Sequence, residues 1–242
     1  MNVHRRVRLW SLIVEHARGA PVAVEHVCTA AITATGVDHA AVTVTLSATP
    51  RETMYASDDV ASELEELTLT LGEGPGVDAL NGGPALVADL TSTECLAHWP
   101  VFAQASTAAG VRAMFALPLQ VGAIRAGVLN LYRALPGNLD GGQLADALVL
   151  ADTVCALLLD AAASDRPHPD GHLPEQPGPR HPEVHQATGM LTVQLGVTAA
   201  VALIRLRAYA YAHDRRLHDV ADDVVARRLR FHSDSREDRD DS

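Results

Sequence analysis

The chain contains no lysine, and all 19 of its lysine-or-arginine positions are arginine. This absence excludes a P-loop lysine, a Schiff-base lysine and the lysine of a phospho-receiver site. Aromatic residues are also scarce, at 4% of 242 residues, but hydrophobic residues reach 48% and can build a packed core. A chain of this length predicts one domain plus a smaller module.

Cysteine is rare as well. Cys28, Cys95 and Cys155 lie far apart and form no CxxC pair, which indicates a reducing compartment rather than a disulfide framework. The basic N-terminal stretch has no signal-peptide cleavage pattern, and the apolar residues 144–163 include three aspartates. We therefore expect a cytoplasmic protein that has no membrane partner.

The formal net charge of −11 is unevenly distributed. Residues 21–163 carry sixteen acidic residues and four arginines, a balance that repels nucleic acid. Residues 180–232 carry eight arginines and five acidic residues, and residues 1–20 carry four arginines and one glutamate. A nucleic acid would have to bind one of these two basic regions, although a charge of +3 is also ordinary for a protein surface.

A proline-rich segment divides the chain. Residues 163–182 contain six prolines and two glycines without apolar periodicity, which predicts an extended linker. The domains that we predict are an N-terminal helix at 1–20, a mixed region at 21–163, the linker at 164–181, a helical module at 182–231 and a disordered acidic tail at 232–242.

Helices and strands alternate before the linker. The sequence patterns predict helices at 3–18, 21–34, 59–71 and 140–163, strands at 40–46, 52–57, 85–90, 114–119 and 126–133, and a glycine-rich loop at 72–76. The long helix 140–163 is apolar on two sides, which predicts packing on the sheet and on a second subunit. The first helix has an apolar stripe of Val7, Trp10, Val14 and Ala17. Together these elements predict an α+β sandwich whose concave side can bind a small ligand.

Three short helices are predicted after the linker. They run over Pro182–Leu195, from Thr198 to about His213, and from Leu217 through the ARRLRF stretch. We expect Gly189 to permit close helix approach. The predicted core of the module is Val184, Ala187, Leu191, Leu195, Ala202, Leu203, Leu206, Ala210, Leu217, Val220, Ala221, Val224 and Leu229.

The mixed region resembles a GAF domain. The resemblance lies in GEGPGVDAL (72–80), VADL (87–90), HWPVFAQAS (98–106), AGVRAMFALPL (109–119) and AGVLNLYR (126–133). It implies an α+β GAF sandwich with an antiparallel sheet of five or six strands flanked by helices. It also implies a dimer interface through the terminal helices and a role as a small-molecule, redox or light sensor. Gly76 stands where many relatives have a cysteine.

The helical module resembles an ANTAR domain. The resemblance lies in Gln186-Ala187-x-Gly189-Met190-Leu191, in Ala202 with Leu206-Arg207, and in Leu217-x-x-Val220-Ala221. It implies an all-α three-helix RNA-binding module that binds tandem hairpins in nascent transcripts and prevents a terminator from forming. Thr188 stands where many ANTAR domains have a lysine, so one phosphate contact is lost.

Arginines are the main candidates for RNA contact, because a guanidinium donates two parallel hydrogen bonds and stacks on unpaired bases. Arg207, Arg215 and Arg216 lie on or beside the predicted turn between the second and third helices, where they can meet a hairpin loop. Arg227 and Arg228 equally suit a helix C-terminus. The predicted RNA-binding residues are Gln186, Thr188, Gly189, Arg205, Arg207, Arg215, Arg216, Arg227 and Arg228.

A ligand of the mixed region would meet a loop that we predict to lie over the sheet. The candidate ligand-binding residues are Cys95, His98, Trp99 and Phe115, and the alternative is a loop that Trp99 simply packs. The sequence requires no cofactor and leaves the ligand unknown. Four histidines have metal-like spacing without a cysteine or carboxylate cluster, so we expect no metal site at His168, His172, His181 and His185.

The two resemblances predict a homodimeric, signal-responsive regulator that binds RNA hairpins, prevents transcription termination and is not an enzyme. One alternative is a ligand-sensing or protein-interaction module without RNA binding. A third possibility is a GAF-type redox enzyme that uses the cysteines.

Overall fold

The computed structural model describes residues 3–45, 52–164 and 182–231. The chain divides into two units, Met1–Arg180 and His181–Ser242. The predicted linker after residue 164 and the predicted acidic tail lie outside the described residues, as do His168, His172 and His181.

The first unit alternates helices and strands, as predicted. Its described elements are α1 (Val3–Ala17), α2 (Val24–Thr35), β1 (His39–Val44), β2 (Glu52–Ala56), α3 (Asp59–Leu71), α4 (Pro75–Asn81), β3 (Ala85–Val87), α5 (Thr93–His98), α6 (Pro100–Ala108), β4 (Ala113–Val121), β5 (Ile124–Arg133) and α7 (Gly141–Ser164).

The five strands form one antiparallel sheet in the order β2-β1-β5-β4-β3. β4 and β5 are joined by a two-residue turn that begins at Gly122, whose φ of 59° suits glycine in a tight hairpin. Gly127 of β5 is needed for a different reason, because a Cβ there would lie 2.1 Å from the carbonyl oxygen of Thr43 on β1. The predicted antiparallel sheet flanked by helices is confirmed.

Alternate residues of β4 face two different helical layers. Phe115 and Leu117 pack with residues of α1, α2 and α7. Met114 and Ala116 pack on the opposite face, with residues of α3, α4 and α6. The central strands are therefore buried on both faces.

The N-terminal helix belongs to the first unit and is held to α7 by charge. Arg5 Nε and Arg8 Nη2 lie 2.8 and 2.5 Å from the carboxylate of Asp146, which is buried. α7 packs on the sheet, α2 and α1, so its second apolar side has partners within the same chain. Its predicted packing on the sheet is confirmed, and packing on a second subunit stays a prediction.

The apolar stripe predicted for α1 is present, but apart from Ala17 it is not the face that packs on the other described elements. Leu9, Ile13 and Ala17 are buried, whereas Val7, Trp10 and Val14 are exposed. α1 carries apolar residues on two faces, and the face with the four-residue spacing packs on α2 and α7.

Several predicted boundaries in the first unit need correction. α2 begins at Val24 rather than Pro21, and the N–H of Ala23 donates to His26 Nδ1 at 3.0 Å. Pro75 starts α4 inside the predicted glycine-rich loop. The strand predicted at 85–90 ends at Val87. The loop predicted around Trp99 is instead the junction of α5 and α6.

The second unit contains three helices among its described residues, α8 (Pro182–Leu195), α9 (Ala199–Ala212) and α10 (Leu217–Val225). α10 does not extend through the ARRLRF stretch, because Arg227 adopts a left-handed φ of 59°. The amides of Arg228 and Leu229 then donate to the carbonyl of Asp223. Ten predicted core residues are buried, whereas Leu195, Leu203 and Leu229 are only half-buried.

Among the described residues, no single helix has the length and apolar character needed to cross a membrane. α8 and α9 reach that length and composition only as a pair bent by 109°.

Candidate functional sites

Three predicted RNA-binding residues lie on α8 in different environments. Gln186 is exposed. Thr188 is buried and its hydroxyl donates to the carbonyl of Val184 at 2.6 Å, so it has no free polar atom on the surface. Gly189 is exposed and a Cβ there would meet nothing within 4 Å, so the predicted close helix approach at Gly189 is wrong.

An open groove of about 580 Å³ lies beside Gly189. Met190 and Val193 of α8 line one part of it, and Arg227 and Arg230 line another. Most of the lining is apolar. Sequence patterns gave no sign of this groove, because it depends on the position of the segment after α10.

Asp223 holds two of the predicted arginines together. Its Oδ2 accepts a hydrogen bond from Arg215 Nη2 at 2.7 Å, and its Oδ1 accepts one from Arg228 Nε at 2.6 Å. The bond from Arg215 is the main reason why the pKa of Asp223 lies below its usual value, and the same bond raises the pKa of Arg215. Each guanidinium has five N–H donors, so both arginines of this Asp223 cluster keep donors that Asp223 does not use.

The other predicted arginines differ in exposure. Arg216 and Arg227 are exposed, and Arg216 occupies the N-cap position of α10 without a side-chain capping bond. Arg205 and Arg207 on α9 are half-buried, and each interacts with other groups of the protein. Arg216 and Arg227 are therefore the better candidates for direct contact with a ligand.

An aromatic cluster fixes the segment after α10. The ring of Tyr209 stacks on His213 with centroids 3.9 Å apart, and it meets the edge of Phe231 at 5.3 Å. Gln194 Nε2 also donates to the carbonyl of Phe231. These contacts hold residues 226–231, which carry Arg227 and Arg228, against α8 and α9.

In the first unit, three of the four ligand-binding candidates lie near one another. His98 Nε2 lies 2.8 Å from Asp78 Oδ2, and its ring meets the ring of Trp99 at 4.7 Å. Trp99 is buried and Cys95 is half-buried, and both pack in the layer that contains α3, α4 and α6.

Phe115 does not belong to that group. It is fully buried on the opposite face of the sheet, where the guanidinium of Arg133 lies 5.5 Å from the ring centroid. Placing Phe115 in one site with Trp99 was wrong, because successive residues of a strand point to opposite faces.

The sequence did not indicate that α3 carries a buried carboxylate, that of Glu65. Thr43 Oγ1 donates to Glu65 Oε2 at 2.5 Å, and Asn130 Nδ2 and Tyr132 OH donate to Glu65 Oε1 at 2.6 and 2.5 Å. Burial, and then the nearby charge of Glu65, raise the pKa of Tyr132 well above its usual value. The three donors satisfy a charged group that would otherwise be costly to bury.

The remaining polar atom of this network faces α4. Asn130 Oδ1 is buried and has no hydrogen-bond partner among the described residues. A Cβ at Gly76 would lie 3.0 Å from it. Gly76 therefore leaves room for Asn130, and a cysteine at this position would crowd the amide.

The three cysteines are free, and they differ in burial. Burial raises the pKa of Cys28 to about 12, and burial also raises the pKa of Cys155. Cys95 is half-buried on α5. Within the described parts of the chain, no three histidine, cysteine or acidic side chains are placed to hold a metal ion.

Known proteins resemble the two units separately. Residues 180–225 match the model of the ANTAR domain family. The GAF domain of a phosphoenolpyruvate-protein phosphotransferase from Coxiella burnetii is 15% identical, with a TM-score of 0.50 over 68% of this chain and 98% of that chain. The GAF domain of an Acinetobacter phosphoenolpyruvate-protein phosphotransferase is 12% identical, with a TM-score of 0.50 over 69% of this chain and 100% of that chain. None of the curated proteins matches the chain.

The likeness of the first unit to these structures is one of fold, and it agrees with the sheet order and helical layers described above. The family match of the second unit falls on α8, α9 and α10. The chain is therefore a GAF-fold domain followed by an ANTAR domain.

Proposed function

We propose that this protein is a signal-responsive RNA-binding regulator that prevents transcription termination by binding hairpins in nascent RNA. The observation that carries the proposal is the ANTAR match over residues 180–225, which includes the three packed helices α8, α9 and α10. The family resemblance implies tandem hairpins as the target, and the cytoplasm as the place where nascent transcripts are met.

The charge arrangement of the second unit supports RNA as the ligand. The Asp223 cluster holds Arg215 and Arg228 in fixed positions, so their free N–H donors are ordered before an RNA binds. Arg216 lies next to this cluster in the chain and is exposed. Fixed guanidiniums suit phosphates and unpaired bases because little side-chain freedom is lost on binding.

The direct test is RNA binding by the full chain at two salt concentrations. The probes are a double-hairpin leader RNA and a scrambled RNA of the same composition. We expect preference for the hairpins, and we expect Arg216→Ala to weaken binding and lower the salt slope by about one unit. Arg125→Ala is the matched control, because it removes an exposed arginine from β5, within the acidic residues 21–163.

Equal weak binding to both RNAs, lost at the higher salt, would contradict the proposal and leave only a general attraction to phosphate. The alternative function, a ligand-sensing or protein-interaction module, would then be favoured. Loss of binding in Arg125→Ala as large as in Arg216→Ala would have the same meaning, because it would show no dependence on the ANTAR surface.

We propose that the GAF-fold unit senses the signal as a homodimer. The exposed face of α1 carries Val3, Val7, Trp10 and Val14 at spacings of four, three and four residues. This spacing is that of a coiled-coil seam, which supports pairing with α1 of a second copy. We propose that the ligand binds near His98 and Trp99, at the junction of α5 and α6. A bound ligand would shift the population of dimers that are able to bind RNA.

We propose that the protein has no catalytic activity. The third possibility, a redox enzyme, needs a thiolate, and burial keeps the pKa of Cys28 and Cys155 above the usual value. Cys95 alone has no neighbouring cysteine in the chain sequence to complete a dithiol.

A further inference from the structure

The groove between α8 and the segment after α10 is open, mainly apolar and bordered by positive charge. Its volume of about 580 Å³ lies within the range of roughly 300–1,000 Å³ that is typical of small-ligand sites. Met190, Val193 and Leu229 supply apolar surface, and Arg227 and Arg230 supply two guanidiniums. A flat apolar group that carries negative charge would complement this lining.

Gly189 is an unfavourable residue at its position in the helix. It lies inside α8, where glycine is less favourable than every residue except proline. Neither crowding nor backbone conformation requires it, since a Cβ would meet nothing within 4 Å and the residue has no positive φ. Its missing side chain leaves space in the groove that a larger residue would fill.

Arg227, on the other side of the groove, is likewise an unfavourable residue for its backbone conformation. It adopts a left-handed φ of 59° just after α10, at a place where glycine is usual. Its N–H donates to the carbonyl of Val224 at 3.0 Å, so the backbone is held in this form. The chain thus has glycine where a helix favours alanine, and arginine where a helix end favours glycine. Unfavourable local choices of this kind concentrate at functional sites.

We propose that this groove accepts one unpaired base from the loop of an RNA hairpin, with Arg227 and Arg230 contacting its phosphates or stacking on it. The inference rests on the proposed function and names the place where that RNA is read. Proteins recognise RNA loops by splaying bases out of the stack onto apolar and guanidinium surfaces. Two arginines at an apolar groove favour a nucleotide over an uncharged protein side chain.

The test compares Gly189→Leu with Gly189→Ala in the full chain. The probe is a tandem-hairpin RNA selected for binding to the wild-type protein from a pool with randomised loops. Alanine and leucine both favour a helix over glycine, so the melting temperature should stay or rise in both variants. We expect Gly189→Leu to bind roughly 10-fold or more weakly than the wild type, the scale of one lost stacked base, and we expect Gly189→Ala, which adds a single methyl group, to lose much less affinity.

A second arm identifies the base. Each loop nucleotide is replaced in turn by an abasic one, and we expect one position at which the loss weakens the wild type about as much as Gly189→Leu does. That abasic site should add little to the defect of Gly189→Leu, because both changes remove the same contact. Arg227→Gly should also lower affinity without lowering the melting temperature, since glycine suits the left-handed backbone.

The outcomes separate this inference from the proposed function. If the wild type selects no hairpin, the proposed function fails and the inference fails with it. If the wild type selects hairpins but Gly189→Leu binds as tightly as Gly189→Ala, only the groove is ruled out as the base site. If Gly189→Leu binds weakly but no abasic position is coupled to it, the occupant is not a base, and the sugar-phosphate backbone of the RNA becomes the alternative.

Discussion

Substitution of Glu65 tests whether one buried carboxylate organises the α3 side of the sheet. Glu65→Ala leaves Thr43, Asn130 and Tyr132 without the acceptor that they share. A buried donor that loses its partner costs about 1–3 kcal/mol, so three donors give a range of about 3–9 kcal/mol. Water that enters the vacated space can satisfy some of them, so we expect a loss near the lower end, about 3 kcal/mol. That is a large part of the roughly 5–15 kcal/mol that stabilises an ordinary domain.

Glu65→Gln is the matched control. Its amide oxygen can still accept from Asn130 and Tyr132, and the Thr43 hydroxyl can rotate to accept from the new amide nitrogen. Only the charge-assisted part of the bonding is lost, so we expect a cost of about 1 kcal/mol. The difference between the two variants isolates the hydrogen-bond network from the removal of charge.

Urea unfolding followed by tryptophan fluorescence measures both variants. The chain has two tryptophans, of which Trp10 is 50% exposed and Trp99 is buried in the same layer as Leu64 of α3. A Trp10→Phe background makes Trp99 the only reporter. If Glu65→Ala and Glu65→Gln differ by less than about 0.5 kcal/mol, which is within the effect of an ordinary surface change, the reasoning about the network is refuted.

Two further predictions concern the cysteines. The pKa of Cys28 is raised from 9.0 to about 12 in the folded state. The contribution of the protonated thiol to the free energy of unfolding is therefore fully present below pH 9 and is lost as the pH rises towards 12. Between pH 9 and 10 the wild type should lose about 1 kcal/mol more than Cys28→Ala in urea unfolding, and equal losses would contradict the assignment. Under native conditions a thiol reagent at neutral pH should label Cys95 first, whereas Cys28 and Cys155 should react only on unfolding. Fast labelling of all three cysteines would favour the redox-enzyme alternative.

The sheet was predictable where local signals agree. The β4–β5 hairpin has β-branched and aliphatic residues on both sides of Gly122, and strand formation, turn geometry and pairing all follow from that stretch. The sequence of the same stretch does not indicate on which face of the sheet Phe115 lies. A strand that is buried on both faces shows no alternation of apolar and polar residues, so its sequence does not indicate which side chains share a layer.

Other features depended on contacts between distant residues. Glu65 meets Thr43, Asn130 and Tyr132 across 22, 65 and 67 positions of sequence, and a glutamate within a helix is usually on the solvated side. The start of α2 was misplaced because His26, rather than Pro21, provides the local contact at the helix start. Ionic contact with Asp146 likewise joins α1 to the first unit, and no pattern within residues 1–20 indicates it.

Arginine count is a poor guide to the proposed RNA surface. The seven arginines at 182–231 are accompanied by five acidic residues, so the unit has too little net charge to bind RNA by general attraction. Asp223 uses part of the charge of Arg215 and Arg228, yet it fixes where their remaining donors lie. Under the proposed function, affinity for RNA must then come from a few positioned groups and from contacts with bases. Such contacts discriminate between loops, whereas phosphate attraction does not, so a weakly charged ANTAR unit favours selective over general RNA binding.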